Sequence, residues 1–212
     1  MSTLPISPWN HLCWPDPDVV WNVNELLEIY NDVFSKYDRF YQDKTYRGIA
    51  FQGKDPKDHL GAIVTGNTPY SEEHGEKWTV DKEALGKHLE RQVQFCVRHE
   101  ELCIGEYARI LDYLEGLGYV AHRARIMELG PGNHLNWHVD SYEGMWGNNR
   151  RYHVPLITNE EAYLIWRQNG RRFIFNPQPD GSGIWVNTDV LHQYINRGTT
   201  WRAHIVVDLI KK

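Results

Sequence analysis

What most constrains the fold of this chain lies after Gly118. From there to the C-terminus the apolar residues fall in short β-prone runs: Tyr119–Leu129, Leu135–Val139, Tyr152–Ile157, Tyr163–Arg167, Phe173–Phe175, Gly183–Val186, His192–Asn196 and Thr200–Leu209. Turn-forming sequences separate them, at Gly130-Pro131-Gly132, Asn169-Gly170, Asn176-Pro177, Asp180–Gly183 and Arg197-Gly198. Many short strands at regular spacing specify a sandwich or barrel. No repeat or low-complexity tract interrupts them.

The first half of the chain is different in character. Residues 1–21 are rich in proline and tryptophan, which rules out a regular helix and predicts an irregular segment packed across the body. Residues 22–37 carry Val23, Leu26, Leu27, Tyr30, Val33, Phe34 and Tyr37 at three- and four-residue steps, the pattern of an amphipathic helix capped by Asn22 or Asn24. Tyr46–Phe51 and Leu60–Val64 predict strands, residues 66–80 a loop, and residues 81–98 and 104–117 two further helices. A 212-residue chain of this make-up predicts one domain, with residues 1–118 as helical and strand support and residues 119–212 as the core that carries the site.

The charge balance narrows the function classes. A formal net charge of −5 with no lysine or arginine block argues against a nucleic-acid or anionic-membrane surface. Cys13, Cys96 and Cys103 are odd in number and show no C-x-x-C spacing, so a disulfide scaffold is not expected. With no signal peptide and no membrane-spanning run, the expected location is cytoplasmic.

Chemistry concentrates in Gly130-Pro-Gly-Asn-His-Leu-Asn-Trp-His138-Val-Asp140. On an extended backbone His138 and Asp140 project to one face, whereas a helix would splay them apart. His192 opens a later run, and a jelly roll brings distant strands together. Two imidazoles and one carboxylate on one face form the facial triad that holds Fe(II) with positions left open. A strand-end histidine bonded to a backbone carbonyl is the other reading of His192. Arg202 follows in Trp201-Arg-Ala-His-Ile-Val-Val-Asp208, where the flanking apolar residues predict burial. A buried guanidinium needs a carboxylate, and its planar fork suits the distal carboxylate of 2-oxoglutarate. An ion pair with Asp208 or Glu128 is the structural alternative. His153, in a similar apolar strand, reads either as a second donor to that carboxylate or as a satisfied core histidine. Arg123 and Arg125 could reach a substrate carboxylate or simply face solvent. Trp137 and Trp146 flank the expected mouth of the site, and His204 would share the face of Arg202.

The ordered set His138-x-Asp140, Arg151-x-His153-x-Pro155, Trp185-x-Asn187 with His192, and Arg202-x-His204 resembles the aspartyl/asparaginyl β-hydroxylase-like family of Fe(II)/2-oxoglutarate-dependent dioxygenases. The resemblance covers residues 123–209 well. It implies a double-stranded β-helix (a cupin-like jelly roll), with Fe(II) on His138, Asp140 and His192. It also implies Arg202 and His153 on the distal carboxylate of 2-oxoglutarate. Animal members lack a carboxylate at the position of Asp140, so its presence is similar to the small bacterial hydroxylases of free amino acids. Related halogenases need that carboxylate absent, so Asp140 implies hydroxylation of an unactivated C–H bond, with O2 as co-reactant. The expected substrate is an amino acid or related small molecule. The alternatives are a protein or peptide side chain, or a cupin-type metal enzyme or binding protein that does not use 2-oxoglutarate.

Overall fold

The computed structural model describes residues 12–42, 45–63, 70–73, 77–80, 95–140 and 150–211. Strand β1 (Cys13–Val20) is followed by helix α1 (Val23–Asp32), a 3-10 turn (Phe34–Lys36), and strands β2 (Phe40–Gln42), β3 (Tyr46–Ala50) and β4 (Gln52–Gly53). A hairpin of β5 (Tyr70–Glu73) and β6 (Lys77–Val80) precedes β7 (Val97–Arg98) and helix α2 (Gly105–Gly116). The remainder is β: β8 (Tyr119–Leu129), β9 (Asn133–His134), β10 (Arg150–Ile157), β11 (Ala162–Gln168), β12 (Arg171–Phe175), β13 (Ser182–Val186), β14 (His192–Asn196) and β15 (Arg202–Lys211).

Two antiparallel sheets form the jelly roll. The larger runs β1-β13-β10-β15-β8-β3-β2 and the smaller β12-β11-β14-β9. Strand alternation gives the larger sheet two apolar faces. Ile126, Tyr152, Val154, Ile205 and Val207 point outward and pack on Leu26, Phe34, Tyr107, Ile110 and Leu114 of the helical layer. Leu129, Ile184 and Val186 point inward and meet Leu164, Trp166 and Tyr194 of the smaller sheet. The helices therefore buttress one sheet, and the space between the sheets holds the site residues.

Several elements depart from the sequence reading. Cys13–Val20 is an ordered strand on β13, not an irregular segment. Pro15 and Pro17 are tolerated because β1 is the sheet edge, where a missing N–H breaks no ladder. Buried polar contacts hold it there: Tyr152 Oη donates to Asp16 (3.2 Å) and accepts from Trp21 Nε1 (3.0 Å). Leu60–Ile63 is a turn, because Asp58 Oδ1 accepts from Leu60 N (3.3 Å) and Gly61 N (2.7 Å). The stretch read as a loop contains the β5–β6 hairpin. Val97 and Arg98 pair with β4 rather than ending a helix, and residues 81–94 lie outside the described residues. Asn22 does cap α1, accepting from Glu25 N. None of the three cysteines forms a disulfide.

Glu128 ties the helical layer to the larger sheet. Its buried carboxylate pairs with Arg39 (3.0 Å) and Arg47 (2.8 Å) and accepts a hydrogen bond from the Tyr30 hydroxyl of α1. Removing the carboxylate leaves two largely buried guanidiniums uncompensated. Glu128→Ala should lower stability by about 3 kcal/mol, read from the urea midpoint of the metal-free protein.

Candidate active site

The opening stretch reaches the site by pairing with the smaller sheet. Gly132 takes φ +70° in the turn, a conformation that favours glycine. Asn196 fastens this turn through its side-chain amide, donating to Leu129 O (2.9 Å), Gly130 O (3.2 Å) and Thr200 O (2.8 Å). The chain then runs antiparallel to β14, with Leu135 N donating to Tyr194 O. His138 and His192 exchange both backbone hydrogen bonds, and Asp140 N donates to Thr188 O. Leu135–Val139 is not a continuous strand, since only Asn133–His134 forms β9 and His138 makes an isolated bridge. The bridge still delivers what the sequence reading required. Opposed residues of an antiparallel pair project to one face, so the two imidazoles stand with ring centroids 4.3 Å apart.

Asp140 completes a cluster whose ligand atoms all lie within 4.8 Å of one another. Its Oδ2 is 3.4 Å from His192 Nε2 and 3.7 Å from His138 Nε2. All three groups are thus close enough to be offered to a single ion. Backbone carbonyls select the tautomers: His138 Nδ1 donates to Asn136 O (2.6 Å) and His192 Nδ1 to Val190 O (2.9 Å). Each Nε2 is left with its lone pair facing the cluster. Burial lowers the pKa of His138, which favours the neutral, ligating form. His192 Nε2 is buried with no hydrogen-bond partner. The strand-end reading of His192 therefore describes its Nδ1, and its Nε2 is left available to a ligand. By donor type, tautomer and spacing, these residues fit a divalent iron.

The inner face of β15 supplies the second pocket. Arg202 is 4% exposed and makes no ion pair among the described residues. Asp208 pairs instead with Arg125 (2.9 Å), Arg151 (2.7 Å) and Arg123 (3.4 Å), and Glu128 belongs to Arg39 and Arg47. Both structural alternatives for Arg202 thus fail. Its Nη2 donates to His204 Nδ1 (2.7 Å), its guanidinium lies over the Tyr194 ring (4.9 Å), and its Nε–H is buried without an acceptor. Burial lowers its pKa to about 10, so it stays charged at neutral pH. His153 shares this pocket, with its ring stacked on Tyr194 (5.7 Å) and its Nε2 within 3.2 Å of the Tyr194 hydroxyl. Burial, reinforced by Arg151 and Arg202, keeps His153 neutral. His204 is thus the direct hydrogen-bond partner of Arg202, and His153 lies beside them on the Tyr194 ring.

Between the two pockets stands a cluster that the sequence reading did not assemble. Arg151 bonds Asp140 through Nη1 and Asp208 through Nε. Burial alone would raise the Asp140 pKa, yet Arg151 and the two histidines hold it well below the usual carboxylate range. Arg123 and Arg125 are buried rather than solvated. A bulge in the β8–β15 ladder brings both to Asp208, and Arg123 carries the strained backbone there with φ +52°. Tyr194 also escaped the sequence reading. Its signal was the i, i+2 spacing from His192, which on a strand places it on the ligand face. Trp137 is half-buried, and Trp146 lies outside the described residues.

An antiparallel jelly roll with an inward His-x-Asp/His cluster and a buried, unpaired arginine defines a class of non-haem iron oxygenase fold. The sequence profile of the aspartyl/asparaginyl β-hydroxylase family matches residues 89–212, and the chain belongs to that family. It is a 2-oxoglutarate-dependent hydroxylase with Fe(II) as its metal. Its fold is similar to that of SnoN, a non-haem α-ketoglutarate-dependent epimerase from nogalamycin biosynthesis (TM-score 0.54, 10% identity, 96% of this chain and 80% of that one). It is also similar to a 2OG-Fe(II) oxygenase family oxidoreductase from Burkholderia pseudomallei (TM-score 0.50, 10% identity, 90% and 78%). At such identities the likeness concerns the fold alone. No curated protein sequence matches the chain. Among the described residues no helix is long and apolar enough to cross a membrane.

A buried, unpaired arginine costs stability until an anion arrives. The depressed folded-state pKa of Arg202 means that its charged form is penalised at every pH below about 10, and the penalty fades only as pH rises toward the unfolded value. Arg202→Met should therefore stabilise the ligand-free protein at pH 7 by about 3 kcal/mol. It should also raise the KM for 2-oxoglutarate on the order of a hundredfold. Thermal unfolding and succinate assays read the two effects separately.

Proposed function

We propose that His138, Asp140 and His192 hold the iron, that Arg202 binds the distal carboxylate of 2-oxoglutarate, and that the enzyme hydroxylates an amino acid or related small molecule. The observation that carries this reading is the buried charge of Arg202, which has no carboxylate among the described residues and lies beside the histidine cluster. A dicarboxylate reaching from the triad to Arg202 supplies the missing anion. Fe(II) held by His138, Asp140 and His192 would supply the oxidising chemistry, in which O2 and 2-oxoglutarate are consumed to give succinate, CO2 and the hydroxylated substrate.

The protein groups position and exclude. Backbone carbonyls on both Nδ1 atoms fix the ring orientations of His138 and His192, so the site is formed before a ligand enters. His204 steers the guanidinium of Arg202, and its own pKa is pushed well down by burial and by Arg202, so its Nδ1 remains an acceptor. His153 stacks on Tyr194 beside Arg202, and in this reading it would be the second donor to the distal carboxylate. Arg123, Arg125 and Arg151 place guanidinium groups on the Asp140 side, which suits a substrate bearing a carboxylate. A peptide side chain is the second reading. It is supported by the name of the family, aspartyl/asparaginyl β-hydroxylase.

Succinate release across a panel of free amino acids, their carboxyl amides and short peptides tests the proposal. Free amino acids should stimulate release, the amides should not, and Asp140→Ala should abolish it. Stimulation by peptides alone would assign a side chain, and full turnover by Asp140→Ala would remove Asp140 from the ligand set.

A further inference from the structure

One oxygen of Asp140 serves two masters. Oδ2 is the atom nearest both histidine Nε2 atoms, and it is also the acceptor of Arg151 Nη1. Arg151 is 8% exposed and is anchored a second time, through Nε on Asp208 Oδ1 (2.7 Å). Asp208 is in turn held by Arg125 Nη1 (2.9 Å) and Arg123 Nη1 (3.4 Å). The Arg151 guanidinium also interacts electrostatically with Tyr194, whose ring lies under the Arg202 guanidinium.

We infer that Arg151 is a resident counter-ion of the metal site, which neutralises Asp140 in the metal-free protein and gives up that contact when a divalent cation binds. The inference rests on the proposed assignment of His138, Asp140 and His192 as ligands. A partly buried carboxylate beside two imidazoles is helped by a positive partner, and Arg151 is the cation placed to supply it. A divalent ion on the same oxygen would stand close to the guanidinium and be repelled by it. The Nε anchor on Asp208 stops Arg151 from leaving altogether, so its movement is a pivot. The freed Nη1–H then faces the cosubstrate pocket and can meet an anion. Metal and anion binding are thereby coupled in the same direction, each favouring the other.

The sign of a mutational effect separates this from simple scaffolding. Calorimetric titration of the metal-free protein with Mn(II), without 2-oxoglutarate, should give binding about tenfold tighter in Arg151→Gln, because a competing cation has gone. Asp208→Asn should bind Mn(II) more weakly, because Arg151 is left with Asp140 alone. A scaffolding arginine predicts the opposite for Arg151→Gln: a loosened Asp140 and weaker binding. Unchanged or weaker binding by Arg151→Gln, or tighter binding by Asp208→Asn, overturns the inference while leaving the triad intact. Failure of the wild-type protein to bind Mn(II) removes the triad assignment as well. Should Arg151→Gln not fold, 15N-arginine spectra of the wild-type protein carry the test. Zn(II) should shift the Arg151 guanidinium signals, and signals that stay in place through saturation contradict the pivot.

Discussion

Arg202 lies on the inner face of β15 with its charge buried, one donor unmatched, and the nearest carboxylates already committed to other arginines. Desolvating a guanidinium without a counter-charge is among the most costly things a fold can do. The surrounding structure makes sense as a way of tolerating that cost. Tyr194 offers a π face, His204 a neutral acceptor, and the two sheets exclude water. On the proposed assignment a bound dicarboxylate would offset that cost, which would link the stability of the protein to cosubstrate binding.

The metal side follows the same logic with the sign reversed. Asp140 is an anion paired with Arg151. On the proposed assignment, Arg151 is attached to a carboxylate that the metal would claim, and Arg202 would receive a carboxylate from the cosubstrate. Tyr194 interacts with both, packed under Arg202 and electrostatically coupled to Arg151. Its position two residues after His192 makes the strand that supplies a proposed ligand also the strand that joins the two pockets.

Much of this was legible in the chain because it depends on local rules. Turn residues and period-two patterning specified the strands after Gly118, and the Asn22 cap and 3.6-residue spacing specified α1. His138, Asp140, His192 and Arg202 were singled out because metal and carboxylate chemistry would use those groups, and the structure brings the first three together. What escaped depended on register. The β8 bulge at Arg123 turns Arg123 and Arg125 inward toward Asp208, and no composition rule marks a bulge. The ordered edge strand β1 was hidden by its prolines, which a central strand would not accept but an edge does. His138 and Asp140 converge through an isolated bridge to β14, a pairing that nothing within their own tripeptide specifies.

The central claim is that one site holds both Fe(II) and 2-oxoglutarate, with Arg202 completing the second. Anaerobic titration of the iron-loaded protein with 2-oxoglutarate measures it most directly. The account predicts a weak visible metal-to-ligand charge-transfer band that saturates with 2-oxoglutarate and requires far higher concentrations in Arg202→Met. Absence of the band in wild-type protein shown to contain iron, or an unchanged titration in Arg202→Met, would contradict it.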